Sequence, residues 1–324
     1  MQIESIDAQH YTLDNFTFTD GTTLENLPVE YLTFGNPKYD DEGNITNAIV
    51  YFHGTSGNYA SVKRIQEAVG KGLPFDTDEF FFVSLSTLGT PGSSSPSTSG
   101  LYNKYPEYSI LDMVNFNRKF IKKALKIEKP LGLIGNSMGG FEAVTWASAY
   151  PDTISFMISL VSSYKVGGQN YILGKVMNDI IESDPDFNTD SAELKRSLQL
   201  SSKAMYSFGL SRQYYMDLSK EQINEFMDEF ALEDSEENVY DAYYRNRATI
   251  NYDSTEKVSD IKVPVLIIAI HEDQYFPPEL DAIPMHALID NSTLVCYNSY
   301  LGHIGSSQLS KISGELEDFM SQFK

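Results

Sequence analysis

Leu131-Gly132-Leu133-Ile134-Gly135-Asn136-Ser137-Met138-Gly139-Gly140 reads as an apolar strand running directly into Gly-X-Ser-X-Gly, and Phe141 to Ala149 beyond it are compatible with a helix. A strand that reverses sharply into a helix leaves no room for side chains two positions either side of the serine, where Gly135 and Gly139 stand. The pattern is that of a nucleophile elbow, with Ser137 lifted above the edge of a sheet. There its hydroxyl meets a substrate carbonyl, while the backbone N–H of Met138 and the dipole of the following helix face the developing oxyanion. A lone Gly-X-Ser-X-Gly also occurs as an ordinary Gly-rich turn; the flanking strand and helix favour the elbow.

A serine hydroxyl is a poor nucleophile at neutral pH, so an imidazole must take its proton and a carboxylate must orient that imidazole. In α/β-hydrolases these partners follow in the order Ser, acid after a late strand, His near the C-terminus. Val263 to Ile270 is a near-continuous apolar run suited to a parallel strand buried on both faces, and it ends in His271-Glu272-Asp273. Asp273 is the expected acid, with Glu272 as the alternative; a helix cap or turn former is its structural reading. Of the five histidines, His303 lies beyond the last apolar run, Thr293 to Tyr297, in a Gly-flanked loop, which makes it the expected base. His53-Gly54-Thr55-Ser56-Gly57 follows the apolar run Ala48 to Phe52, where this fold places the second oxyanion donor. The Thr55 N–H is the expected donor, and Gly54 the alternative.

The stretch from Gly135 through Ser137-Met-Gly-Gly, Trp146-Ala and Tyr150-Pro-Asp152 resembles the elbow of the homoserine O-acetyltransferase family. Asp273-Gln-Tyr-Phe-Pro-Pro278 is similar to that family's acid loop, Asp184-Pro185-Asp186 to a motif in its lid, and Gly89-Thr-Pro-Gly-Ser-Ser-Ser95 to its loop after the fourth strand. The resemblance covers most of the chain from about His53 to His303 and implies an acyl-enzyme mechanism with Ser137, Asp273 and His303 as triad. Two departures matter. In the homoserine enzymes an Asp that holds the substrate amine follows the catalytic His, whereas Ile304-Gly305 stand here. Their lid arginine, which holds the substrate carboxylate, aligns without gaps near Gln199, with Arg196 and Arg212 displaced. A zwitterionic acceptor desolvated without those charged partners loses several kcal/mol of recognition, so hydrolysis of a carboxylic ester or related acyl compound is expected, with O-acyl transfer from acetyl-CoA or another donor as the alternative.

Strands are expected near Phe16 to Phe18, Val29 to Phe34, Ala48 to Phe52, Phe80 to Ser86, Leu131 to Gly135, Ile154 to Leu160, Val263 to Ile270 and Thr293 to Tyr297. Helices fall between them, so the class is α/β: an α/β-hydrolase fold with a mostly parallel, doubly wound sheet. Pro28, Pro130, Pro151 and Pro264 are read as marking element starts. Between residues 162 and 257 strand signals give way to amphipathic runs, Gln169 to Ile181, Ala192 to Tyr206 and Lys220 to Leu232. This interval is expected to be a helical lid, set between core segments 1–161 and 258–324. Tyr171, Met177, Met205, Tyr206, Phe208, Tyr214, Tyr215 and Met216 are candidates to line an acyl or alcohol pocket, although most such residues pack helices together.

A net charge of −21 with no basic stripe argues against a nucleic-acid partner. The acidic pairs Asp228-Glu229, Glu233-Asp234 and Glu236-Glu237 read as a solvated lid surface, and no His or Cys spacing suggests zinc. No cofactor, metal or membrane is expected. The partner is a small-molecule acyl substrate, with a homodimer as one compatible assembly. The single Cys296 forms no intrachain disulfide, and Met1 to Asp7 has neither the basic segment nor the apolar core of a signal peptide, so a cytoplasmic location is expected.

Overall fold

The computed structural model describes residues 3, 6–189, 194–234 and 236–324. Two N-terminal strands, β1 (Gln9–Thr17) and β2 (Thr23–Gly35), form an antiparallel pair buried on one side only. Behind them, β3 (Ala48–Phe52), β4 (Phe81–Leu85), β5 (Gly132–Asn136), β6 (Phe156–Leu160) and β7 (Val265–Ile270) are buried along their whole length, as continuous apolar runs require. The last strand, β8 (Ser292–Tyr297), is again half-covered. Together they make an eight-stranded sheet in the order β1-β2-β4-β3-β5-β6-β7-β8, antiparallel at the β1-β2-β4 end and parallel from β4 to β8.

Neighbouring residues along each central strand face opposite layers, as the period of two demands. Val50, Phe52, Leu133, Met157 and Ile267 join one core with α1 (Ile110–Leu125) and α2 (Met138–Ala149). Ile49, Tyr51, Ile134, Ile158 and Ile268 join the other, with α9 (Ser313–Met320) among its cover. Among the described residues, α3 (Gly168–Glu182), α4 (Lys195–Tyr206), α5 (Arg212–Asp217), α6 (Lys220–Asp234) and α7 (Val239–Ile250) lie between β6 and β7 in the chain. The remaining helix, α8 (Ala282–Leu288), precedes β8.

Several expectations need adjustment. The first strand starts at Gln9 rather than near Phe16, since only Leu13 and Phe16 are buried along it and polar residues hide the alternation. Pro28 does not begin an element: it sits inside β2 opposite Thr12. It is tolerated because pairing with β4 begins only at Tyr31, so β2 is an edge strand at that point. The first two residues of the Ala192–Tyr206 run lie outside the described residues. Helix α7 lies outside the expected amphipathic runs, because its buried face is mostly tyrosines, Asp241, Arg245 and Asn246, with Val239 and Ala248 its aliphatic members.

The join between β5 and α2 leaves almost no space. A Cβ on Gly135 would stand 2.2 Å from the Gly139 carbonyl oxygen, and one on Gly139 would stand 2.2 Å from that of Phe52. Both obstacles are backbone and cannot swing aside. Gly139→Ala is therefore expected to cost about 3 kcal/mol or more, read as a shift of the urea midpoint, whereas Gly314→Ala, with nothing within 4 Å of the added carbon, loses none. Equal midpoints for the two variants would show that the junction is loosely packed.

Candidate active site

Ser137 ends the β5 strand with φ 56° and ψ −121°, a backbone conformation that costs a non-glycine residue about 1–3 kcal/mol. The surroundings hold it there. Its N–H donates to Leu160 O at 3.0 Å, and its carbonyl accepts from Gly140 N–H at 2.8 Å and from Ser162 Oγ at 2.7 Å. Ser162 is presented by a second outlier: Val161, directly after β6, has φ 45°, a conformation β-branched residues rarely adopt. Strain in two adjacent strand ends thus converges on the one serine.

His303 lies in the turn after β8, with Nε2 3.0 Å from Ser137 Oγ and Nδ1 2.7 Å from Asp273 Oδ2. Asp273 is 3% exposed, and its other oxygen accepts from the N–H groups of Tyr275 at 2.8 Å and Phe276 at 3.1 Å. With both oxygens engaged the carboxylate cannot rotate away from the imidazole. The ring of Tyr275 meets His303 edge-on at 4.9 Å, and Phe276 stands at 5.7 Å on the same imidazole. Glu272, the alternative acid, points elsewhere: its oxygens accept from Asn298 Nδ2 and Ser299 N–H, each at 2.7 Å. Burial opposes ionisation of Glu272, but those two bonds prevail and hold its carboxyl below the usual range.

Met138 is the first residue of α2, so its N–H has no acceptor within the helix. Across from it, a Cβ on Gly54 would come within 3.3 Å of Ser137 Cβ, which sets the 53–57 turn against the elbow. The Gly54 carbonyl accepts from Gly57 N–H at 2.9 Å and from His53 Nδ1 at 2.7 Å. A trans peptide directs its N–H opposite to its C=O, so the Thr55 N–H faces away from that pair. His53 is fully buried, and its Nε2 accepts the Thr87 N–H at 3.1 Å, which leaves the ring proton on Nδ1. Burial without a compensating negative charge pushes its pKa down to about 4.

Helices α3, α4 and α7 cover this turn. A small cavity between Thr55, Ser56 and these helices is lined by Met177, Leu198, Met205 and Arg245 among others. Of the expected aromatic and methionine lining, Met177 and Met205 reach it and the Tyr206 hydroxyl bonds to Ser56. Tyr171 and Met216 do not: they are 45% and 79% exposed on the outer lid surface. Tyr214 and Tyr215 pack on Phe226 instead. Arg196 and Arg212 are exposed, whereas Arg245 of α7 is buried. Its guanidinium donates to Gly89 O at 3.1 Å and pairs with Glu237 at 2.6 Å, tying α7 to the loop after β4. Nothing in the linear pattern marks Arg245, because its significance depends on what the fold sets opposite it. Ile304, the residue after His303, donates its N–H to Gly209 O at 3.4 Å. Two clefts of about 390 and 440 Å³ lie against α1 and include no triad residue in their walls. Among the described residues no group of three or more His, Cys, Asp or Glu is placed to hold a metal, and no helix is long and apolar enough to cross a membrane.

Residues 47–300 match the alpha/beta hydrolase fold family. A protein of Methanothermobacter thermautotrophicus described as a probable acyltransferase is 42% identical over 318 residues, 98% of this chain and 99% of that one. A homoserine O-acetyltransferase of Leptospira biflexa is 34% identical over 202 residues, 56% of this chain and 51% of that protein. Among solved structures, an acetylester hydrolase from Corynebacterium glutamicum superposes with a TM-score of 0.85 at 20% identity, over 97% of this chain and 96% of that one.

The buried neutral His53 makes folding sensitive to acid. Its pKa is about 4 when folded and 6.5 when free, so between those values the unfolded chain binds the extra proton and stability falls as pH is lowered. His53→Gln is expected to flatten that limb in urea titrations from pH 7 to pH 4 while lowering stability at pH 7. An acid limb as steep as in the parent protein would place the sensitivity in another group.

Proposed function

Because this chain belongs to the α/β hydrolase fold family, we propose that it is a serine-dependent acyl hydrolase in which Ser137 forms an acyl-enzyme that water resolves. The observation that carries the reading is the continuous line Ser137 Oγ, His303, Asp273, with contacts of 3.0 and 2.7 Å. In the acylation step Ser137 Oγ attacks the ester carbonyl as its proton passes to His303 Nε2. The C–O bond to the leaving alcohol then breaks, and the same proton leaves with that oxygen. Water repeats the sequence on the acyl-enzyme, giving the carboxylic acid and free Ser137. Asp273 stabilises the imidazolium without taking its proton. The N–H groups of Met138 and Thr55 hold the oxyanion in both steps. Support for Thr55 over Gly54 comes from the direction of the Gly54 carbonyl, which is turned to His53 and Gly57.

Transfer to an alcohol is the second reading, and the relative described as a probable acyltransferase, aligned over nearly the whole chain, favours it. Both readings share the acyl-enzyme and differ in what removes the acyl group. Ile304 in place of an acidic residue beside His303 supports water, or an acceptor without an amine. The charge of −21 supports a small acyl substrate rather than a nucleic acid.

Asp273→Asn is expected to lower turnover of a short p-nitrophenyl ester on the order of 10⁴-fold, and Ser137→Ala to abolish the acylation burst with the melting temperature preserved. Glu272→Gln should stay within a few-fold of the parent enzyme. A larger loss from Glu272→Gln than from Asp273→Asn would move the acid role one residue back. In the partition test, homoserine at millimolar concentration should neither speed acyl-enzyme breakdown nor divert product from the free acid. O-acylhomoserine as the dominant product in mass spectra would return the protein to acyl transfer.

A further inference from the structure

Behind the elbow lies a carboxyl group that the acyl-enzyme chemistry leaves unused. Glu142, on α2 beyond Ser137, is fully buried, and its Oε2 accepts from Thr87 Oγ1 at 2.9 Å and from Asn117 Nδ2 at 2.6 Å. Asn117 Nδ2 also lies 3.1 Å from Thr87 Oγ1, so α1, α2 and the loop after β4 meet in one polar knot with no exposure to solvent. A buried polar knot that only packed helices would be replaceable as a whole by aliphatic groups of the same shape at little cost, although removing one member alone strands the others. This knot is different because of where Thr87 leads. The Thr87 N–H is the donor to His53 Nε2, and His53 Nδ1–H in turn donates to the Gly54 carbonyl.

We propose that Glu142 is a positioning residue for the oxyanion hole, acting through Thr87 and His53 on the Gly54–Thr55 peptide. The proposal rests on the acyl-enzyme reading above. One donor, Met138 N–H, belongs to α2 itself; the other, Thr55 N–H, belongs to the turn after β3. These elements are distant in sequence, and a carbonyl oxygen becoming an oxyanion needs both donors about 3 Å from one point. The path from α2 through Glu142, Thr87 and His53 to the Gly54 carbonyl is a run of hydrogen bonds, buried up to His53 and part-buried at Gly54, joining the two halves. Because the Gly54 C=O and Thr55 N–H share one rigid peptide plane, fixing the first aims the second. Each member also suits the path chemically. His53 is held as the neutral tautomer that can accept from Thr87 while donating to Gly54. Burial pushes the Glu142 carboxyl up to about 8, so the group is largely neutral at neutral pH and places no full negative charge beside the developing oxyanion. Its Oε1 has no hydrogen-bond partner among the described residues, so an amide nitrogen can take that place without breaking a bond.

The test uses four variants of the whole protein and a short p-nitrophenyl ester. A burst that maps to Ser137 in the parent enzyme comes first, since its absence would remove the acyl-enzyme reading and not the positioning. Glu142→Leu and Thr87→Val should lower kcat about 10-fold to 100-fold, approaching the loss of one oxyanion donor, with KM little changed. Glu142→Gln and Thr87→Ser keep the hydrogen bonds and should restore kcat. If Glu142→Leu does not fold, the Thr87 pair alone decides. Folded Thr87→Val with parental kcat, or a loss in KM alone, would overturn the proposal, as would Gln and Ser variants as impaired as Leu and Val.

Discussion

The chain must turn from β5 into α2 through a single residue in a disfavoured conformation, and most of the site follows from that constraint. Ser137 at φ 56° points its hydroxyl out of the sheet only because Gly135, Gly139 and the Phe52 carbonyl are packed to within contact of one another. The cost of the conformation is met by the surrounding cores, which bury β3 to β7 on both faces. Ser162, held by the strained Val161, bonds the Ser137 carbonyl and blocks relaxation from the other side. Removing the strain would lower the hydroxyl into the sheet edge, away from His303.

Around this point the buried polar groups divide into two kinds. Some belong to the line from Ser137 through His303, as Asp273 does with both oxygens occupied. Others join segments that apolar packing alone would leave free to slide. Arg245 with Glu237 clasps α7 to the loop after β4, and Asp241 accepts from the Ser97 N–H at 2.8 Å in the same region. Burial pushes the Asp241 carboxyl up to about 6 despite that bond. Breaking one partner of such a pair strands the other in a dry interior, at a cost of about 3–5 kcal/mol. Helix α7 is therefore attached to the rest of the fold at named points, one of which shares its loop with Thr87.

How far the sequence reveals this depends on whether the signal is local. The elbow is legible because its steric demand falls on residues two apart, and the buried strands because parallel strands covered on both faces are apolar throughout. Asp273 and His303 are legible through chain order, and the choice between Asp273 and Glu272 becomes clear only when Asn298 and Ser299 are seen to occupy the second. Pro28 misleads because an edge position, which makes proline harmless, is a property of the sheet and not of the segment. Helix α7 is missed since its buried residues are mostly tyrosines, Asp241, Arg245 and Asn246, and Val239 and Ala248 alone make no apolar stripe. Glu142 reads as an ordinary helical residue after the elbow; Thr87 and Asn117, its partners, lie 55 and 25 positions away.

The claim on which the rest depends is that Ser137 carries the acyl group. Mixing the protein with an acetyl ester labelled in its carbonyl carbon, quenching in acid within the first turnovers and mapping the label by peptide mass spectrometry tests it directly. The geometry predicts one acetyl group per chain, on the peptide containing Ser137, appearing before free acetate accumulates. Label on another residue, or free acetate formed at the full rate with Ser137 unmodified throughout, would contradict it.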